Sequence, residues 1–215
     1  MLLSEQLLSN DEIKIFQKYF DDNEKKAYIN YDQQSDTTLD ARLIISSGSN
    51  EYEIIKRIIY GLAPDTTIMY CALQKQYFPH GLHIDVFDIP NPNTYTLVLA
   101  LESVPQFKTI IFNEKFPDKV EYKKYLGELS IKIQDLEIKN NLRQDQDLEH
   151  TILINNKYFL CDYLTLDGIF EYSAGKGVVF NSRKLHCSSN WLKYPHLTQR
   201  NLLQIHFSTA KQYDF

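Results

Sequence analysis

The run GLHIDVF places an imidazole, His83, and a carboxylate, Asp85, two positions apart. On an extended strand, positions i and i+2 point to the same side, so both groups can grip one ion while Ile84 and Val86 face the other way. A chain of this composition holds an H-x-D by chance with an expectation of about 0.4, so the pair needs support from elsewhere in the chain. That support comes from GKGVVFNSRKLHCSSN, which reads as a turn at Gly175 and Gly177, a strand through Val178 to Ser182, and His186 just past its end. Arg200 then opens the final apolar run, RNLLQIHFS. Two imidazoles and one carboxylate on one face leave three adjacent coordination positions free, an arrangement suited to non-haem Fe(II). A chelating acid and dioxygen can share those positions, and a basic residue on the next strand can anchor the acid.

These side chains need a rigid scaffold, and the chain supplies its elements in two textures. Early on, Ser9 and Glu12 form an S-x-x-E capping box with Leu8 positioned to staple onto Ile13, which predicts a helix carrying Ile13, Phe16 and Phe20 on one stripe. A second helix is predicted from about Asn50, with Ile55, Ile58, Ile59 and Leu62 at helical spacing and a stop at Gly61 and Pro64. After Pro64 come short runs rich in Ile, Val, Thr, Tyr and Phe, including TTIMYCAL, LHIDVF, TYTLVLALES, FKTIIF, GIFEYS and GKGVVFNS. About eight strands without intervening helices favour an antiparallel sandwich or barrel. Residues 118–148 are charged and amide-rich and read as an insertion, either a solvated excursion with a helix or a lid. In the last strand Arg200, Leu202, Gln204, His206 and Ser208 share one side, while Leu203, Ile205 and Phe207 face the other. Polar residues on the inner side make sense if the amphipathic helices cover the outer side and the inner side lines a polar cavity. Gln204 and His206 are thus candidate substrate residues.

Composition narrows the function classes. The 215 residues suffice for one domain with a substantial core, with 1–64 as helical support and 65–215 as the β core. A formal charge of -5 argues against a phosphate-binding surface for nucleic acid. No apolar stretch reaches membrane-spanning length, the first residues lack a signal peptide's basic start, and Cys71, Cys161 and Cys187 form no disulfide framework. A cytoplasmic location is expected; the oligomeric state is not encoded in any recognisable pattern.

At this point the residues resemble the Fe(II)- and 2-oxoglutarate-dependent oxygenase superfamily, whose pattern is H-x-D, a later His, and an Arg or Lys some ten to fifteen positions on. The resemblance covers about Ile68 to Ser208. It implies a mainly β fold, a double-stranded β-helix (jelly roll, cupin-like) with the N-terminal helices on the outer face of one sheet. It implies His83, Asp85 and His186 as iron ligands, and Arg200 paired to the distal carboxylate of 2-oxoglutarate, a post where a bidentate fork suits a planar carboxylate. It also implies hydroxylation of a C–H bond with O2, yielding succinate and CO2, on a small molecule or a protein side chain. Many members carry R-x-S on the last strand, but Asn201 and Leu202 follow Arg200, so a second contact to the carboxylate is assigned to Tyr70. Arg183 is a rival anchor, though it is aimed at the strand's end. Nucleic-acid demethylases of the superfamily carry a second Arg where His206 stands, which disfavours base repair, and Asp85 stands where related halogenases place a small residue.

Each pick has a plainer reading. His83 with Asp85 could be a hydrogen-bonded structural pair, and Arg200 could form a surface salt bridge. His80, His150 and His196 read as exposed loop residues, with His80 near enough to compete for metal. Trp191 is a weak candidate for the substrate pocket and more often packs in a core. Cys187 lacks a base and reads as packing. Two other functions fit the same fold: a cupin-like metalloenzyme that does not use 2-oxoglutarate, and a metal-free jelly-roll binding module.

Overall fold

The computed structural model describes residues 3–33, 36–85, 91–140, 151–154, 157–160, 164–189 and 191–213. Two helices start as the sequence predicts. Helix α1 (Asn10–Asn23) has Ser9 as its N-cap and a complete capping box with Glu12, and it buries Ile13, Phe16 and Phe20. Helix α2 (Asn50–Leu62) is capped by Ser49 and buries Ile55, Ile58 and Ile59; Gly61 lies inside its last turn rather than ending it. Both helices cover one face of a seven-stranded sheet ordered β1-β10-β5-β12-β4-β3-β2. The strands are β1 (Leu3–Gln6), β2 (Tyr28–Asp32), β3 (Thr37–Ile44), β4 (Thr66–Gln76), β5 (Thr94–Ala100), β10 (Lys176–Asn181) and β12 (Arg200–Thr209). Residues 1–64 were expected to be helical support, yet they also supply β1, β2 and β3. A helical stretch needs a 3.6-residue stripe, and TTLDARLI instead alternates faces, with Asp40 and Arg42 on one side and Ala41 and Leu43 on the other.

A smaller sheet, ordered β11-β6-β9, is built from β6 (Val104–Lys115), β9 (Leu166–Tyr172) and β11 (Lys184–Ser188). Residues 80–85 run beside β11, because His83 and His186 exchange backbone hydrogen bonds and Ser188 N donates to His80 O. Eight chain segments, β4, 80–85, β5, β6, β9, β10, β11 and β12, are thus shared four and four between the two sheets, which makes the fold a double-stranded β-helix. Its interior core joins Val98, Val178, Phe180 and Leu202 of the large sheet to Phe107, Ile111 and Phe170 of the small one.

The turn before β10 needs glycine. Gly175 has φ +80°, and a Cβ there would run into Gln6 and the carbonyl of Leu8. The insertion begins with helix α3 (Lys119–Asn140), whose start is capped by Asp118 Oδ1 accepting from Val120 N and Glu121 N. Its first turns pack behind residues 82–84, with Leu129 buried against that segment and Tyr122 and Tyr125 beside it. A short hairpin, β7 (Thr151–Ile154) and β8 (Lys157–Leu160), follows; residues 141–150, including His150, lie outside the described residues.

Candidate metal centre

His83 and Asp85 lie on the segment beside β11, and His186 is the third residue of β11 itself. Pairing across the two brings residues about one hundred positions apart into register. His83 Nδ1 lies 2.7 Å from Gly81 O and His186 Nδ1 lies 3.0 Å from Lys184 O. Carbonyls at those nitrogens fix each ring with Nδ1 protonated, leaving Nε2 as the free lone pair. Both Nε2 atoms turn toward Asp85, at 3.7 Å from Oδ1 for His83 and 3.2 Å from Oδ2 for His186. The three ligand atoms all lie within 4.8 Å of one another. Metal bonds of about 2.1 Å at right angles set ligand atoms about 3 Å apart, so this donor set fits a single octahedral ion bound from one side.

The protonation states suit that role. Burial would raise the Asp85 carboxyl, but the nearby imidazoles of His186 and His206 outweigh it and hold the group well below the usual range. Burial, reinforced by His186, depresses His83 to about 3. His186 is raised, because the Asp85 carboxylate overrides the effect of burial. The Asp85 carboxylate and the neutral His83 imidazole are already in the form a cation would require, and His186 would bind one only through an unprotonated Nε2. Thr96 Oγ1 donates to Asp85 Oδ2 at 2.9 Å and also meets Ser182 Oγ and His206 Nδ1, which orients the carboxylate.

One cavity runs from His83 and His186 past Gln204 and Leu202 to Arg200. The Arg200 side chain is buried, yet it has no carboxylate partner within ion-pairing distance among the described residues. It donates instead to neutral oxygens: Nε to Gln76 Oε1 at 2.7 Å, Nη2 to the same oxygen and to Ser188 Oγ at 2.8 Å, and Nη1 to Lys108 O at 3.2 Å. Its guanidinium lies 4.9 Å over the Tyr172 ring. Burial lowers its pKa, opposed by Tyr172 and Glu102, and the guanidinium stays charged. A buried cation held by neutral acceptors keeps its charge available to an anion. Arg183, the rival anchor, lies in the turn between β10 and β11 and does not line this cavity.

Other expected positions divide. Gln204 lines the cavity, and His206 is buried beside the Asp85 carboxylate with its ring against Tyr70. Tyr70 pairs with His206 at one end of β12, whereas Arg200 pairs with Gln76 at the other, so the structure separates Tyr70 from Arg200 by six strand positions. Ser188, not Tyr70, is the hydroxyl beside Arg200; it sits two residues after His186 on the same side of β11, a parity the sequence displays. Trp191 is fully buried edge-on to Phe107 and belongs to the core. His80 is not an exposed loop residue: it lies 3.2 Å from both Asp40 Oδ2 and Gln76 Nε2. His196 is exposed as expected.

No family model matches the chain, and no curated protein matches it in sequence. Solved structures do. The non-haem alpha-ketoglutarate-dependent carbocyclase SnoK from nogalamycin biosynthesis superposes with TM-score 0.62 at 14% identity, covering 97% of this chain and 79% of that one. The fold is shared with non-haem 2-oxoglutarate-dependent enzymes. The epimerase SnoN of the same biosynthesis gives TM-score 0.61 at 11% identity over 97% of this chain and 78% of its own. HygX from Streptomyces hygroscopicus, solved with nickel and 2-oxoglutarate bound, gives 0.54 at 12% identity over 97% and 83%. At these identities the likeness carries the double-stranded β-helix, and the residues of the cavity must carry the rest. No described helix is long and apolar enough to cross a membrane.

Proposed function

We propose that the protein is an Fe(II)- and 2-oxoglutarate-dependent oxygenase that oxidises a C–H bond of a small molecule, with hydroxylation as the outcome. The observation that carries this reading is a two-imidazole, one-carboxylate triad whose histidines line the same cavity as a buried guanidinium that has no carboxylate partner among the described residues. When bound, iron with 2-oxoglutarate and O2 would supply the oxidising chemistry, leaving succinate and CO2. His83, Asp85 and His186 would hold the metal from one side and leave its other side open. Arg200, with Ser188 Oγ beside it, would fix the far carboxylate of the oxoacid and so set the direction in which the acid approaches the metal. Gln76 would hand its place on the guanidinium to that carboxylate. The apolar wall of Val98 and Leu202 between the two ends excludes water along the acid's chain.

A small molecule is preferred over a protein side chain because SnoN has been solved with nogalamycin RO and HygX with hygromycin B. The reduced, buried Cys71 and Cys187 suit work in the cytoplasm. The test is an anaerobic titration with Fe(II) and 2-oxoglutarate. A weak visible charge-transfer band should appear in the wild type and vanish in His186→Ala. No band in the wild type, or an unchanged band in the variant, rejects the assignment.

A further inference from the structure

The small sheet roofs only part of the large one. Its shared core reaches the inner faces of β5, β10 and β12, while β4, β3 and β2 extend the large sheet by three strand steps, about 14 Å, past β12. Residues paired directly across antiparallel strands share a face. Register therefore puts Tyr70 and Gln74 of β4, Arg42 and Ile44 of β3, and Tyr28 and Asn30 of β2 on the same face as Gln204 and His206. A bulge between Asn30 and Tyr31 sets Tyr31 opposite Thr38, which lies two residues before Asp40 and so on this face too. The shelf is wet, for Tyr28 is 67% exposed, Ile44 50% and Tyr31 46%.

Its chemistry is specific. The inward positions of β2, β3 and β4 carry two charges, Asp40 and Arg42, and these cancel: Arg42 Nε and Nη2 reach Asp40 Oδ1 and Oδ2 at 2.6 and 3.0 Å. Asn30 Nδ2 also donates to Asp40, at 3.1 Å. What remains toward solvent is aromatic faces and amides around a neutralised guanidinium that also meets the Tyr70 hydroxyl. An acidic or cationic ligand would lose water here without meeting a countercharge. A saturated ring bearing hydroxyls meets both needs, since its C–H face can lie on a tyrosine ring and its hydroxyls can bridge planar donors and acceptors such as Asn30, Arg42 and Gln204.

We infer that the inner face of β2, β3 and β4 is the substrate shelf and that its ligand is an uncharged, polyhydroxylated compound of more than one ring, a sugar or glycoside. This rests on the oxygenase reading, because the shelf leads past Tyr70 and His206 to the triad. The test uses Fe(II)- and 2-oxoglutarate-loaded protein under argon, with ligand-observed saturation-transfer NMR. The probes are cellobiose, maltotriose and p-nitrophenyl β-glucoside, set against glucuronic acid and glucosamine. Neutral probes should take up saturation at their ring C–H protons, and the charged sugars several-fold less. Tyr28→Ala and, separately, Arg42→Gln should each weaken the neutral probes by about fivefold. Tyr28 is exposed enough for its variant to fold. If the visible band is present and no neutral probe binds, or the charged sugars or a short peptide bind better, the inference falls and the oxygenase reading stands. A missing band would instead remove the reading itself.

Discussion

Removing one carboxylate, Asp40, should cost more than its distance from the metal suggests. It is fully buried and accepts from Arg42, Asn30 and His80, and these partners hold its carboxyl well below the ordinary 3.8. A depressed carboxyl contributes stability that is present above the unfolded pKa and lost as pH falls below it. Asp40→Asn should therefore destabilise the protein by about 2 kcal/mol at pH 7, less than the ~3–5 for a wholly buried pair because Arg42 keeps 32% of its side chain in water. The difference from wild type should shrink as pH drops below about 4; urea unfolding at pH 7 and pH 3.5 measures both. At the other end of the cavity, Ser188→Ala should weaken 2-oxoglutarate by about fivefold, one hydrogen bond's worth, and Arg200→Lys by tenfold or more, with metal affinity retained in each. That His83, Asp85 and His186 converge near Arg200 was legible in the sequence, because same-side parity and chain order are local facts. Tyr70 was misplaced because a pairing register is not. The pairing of Asp40 with His80 was hidden for the same reason: they meet only when β3 lies beside β4 and the chain has turned back.

Helix α3 is the helix expected within the insertion it opens. Its first turns form a buttress, since Tyr122 Oη donates to Leu82 O at 2.7 Å, next to His83, and burial pushes that phenol up to about 12. Tyr122→Phe leaves the ring in place and deletes this tether. The expected result is a loss of about 1 kcal/mol in stability and a several-fold weaker Fe(II) affinity, read by chemical denaturation and by anaerobic titration of the same variant. Survival of full metal affinity would mean that Gly81 O and the β11 pairing hold His83 unaided. Elements were legible where their ends carry chemistry: the Ser9–Glu12 box and Gly175 before β10 mark boundaries by satisfying or freeing the backbone. The three early strands were not, because YINYD and TTLDARLI become strands by adding to a sheet whose other members lie far down the chain. Asp118, by contrast, caps α3 through a side-chain oxygen that any reading for N-caps could find.

For the whole molecule, the cavity couples two distant sheets through its ligands, and folding stability should report it. His83 and His186 sit on the small sheet's side while Arg200 sits on the large one, where it donates across to Ser188 Oγ and Lys108 O. A bound metal would tie residues 83–85 to β11, and an oxoacid held by Arg200 would then bridge that pair to β12. Ligands that bind only the folded state raise its stability by RT ln(1 + [L]/Kd), about 2.7 kcal/mol at a hundredfold excess over Kd. For a chain of this size each kcal/mol moves the midpoint by roughly 2–4 °C. Fe(II) or Mn(II) at that excess should thus raise Tm by about 5–10 °C, and 2-oxoglutarate should add a further increment only when metal is present. Arg200→Ala should keep the metal's increment and lose the oxoacid's, and His186→Ala should lose both. If 2-oxoglutarate raised Tm equally with and without metal, the acid would be seated somewhere other than between the triad and Arg200, and the two ends of the cavity would not be parts of one site.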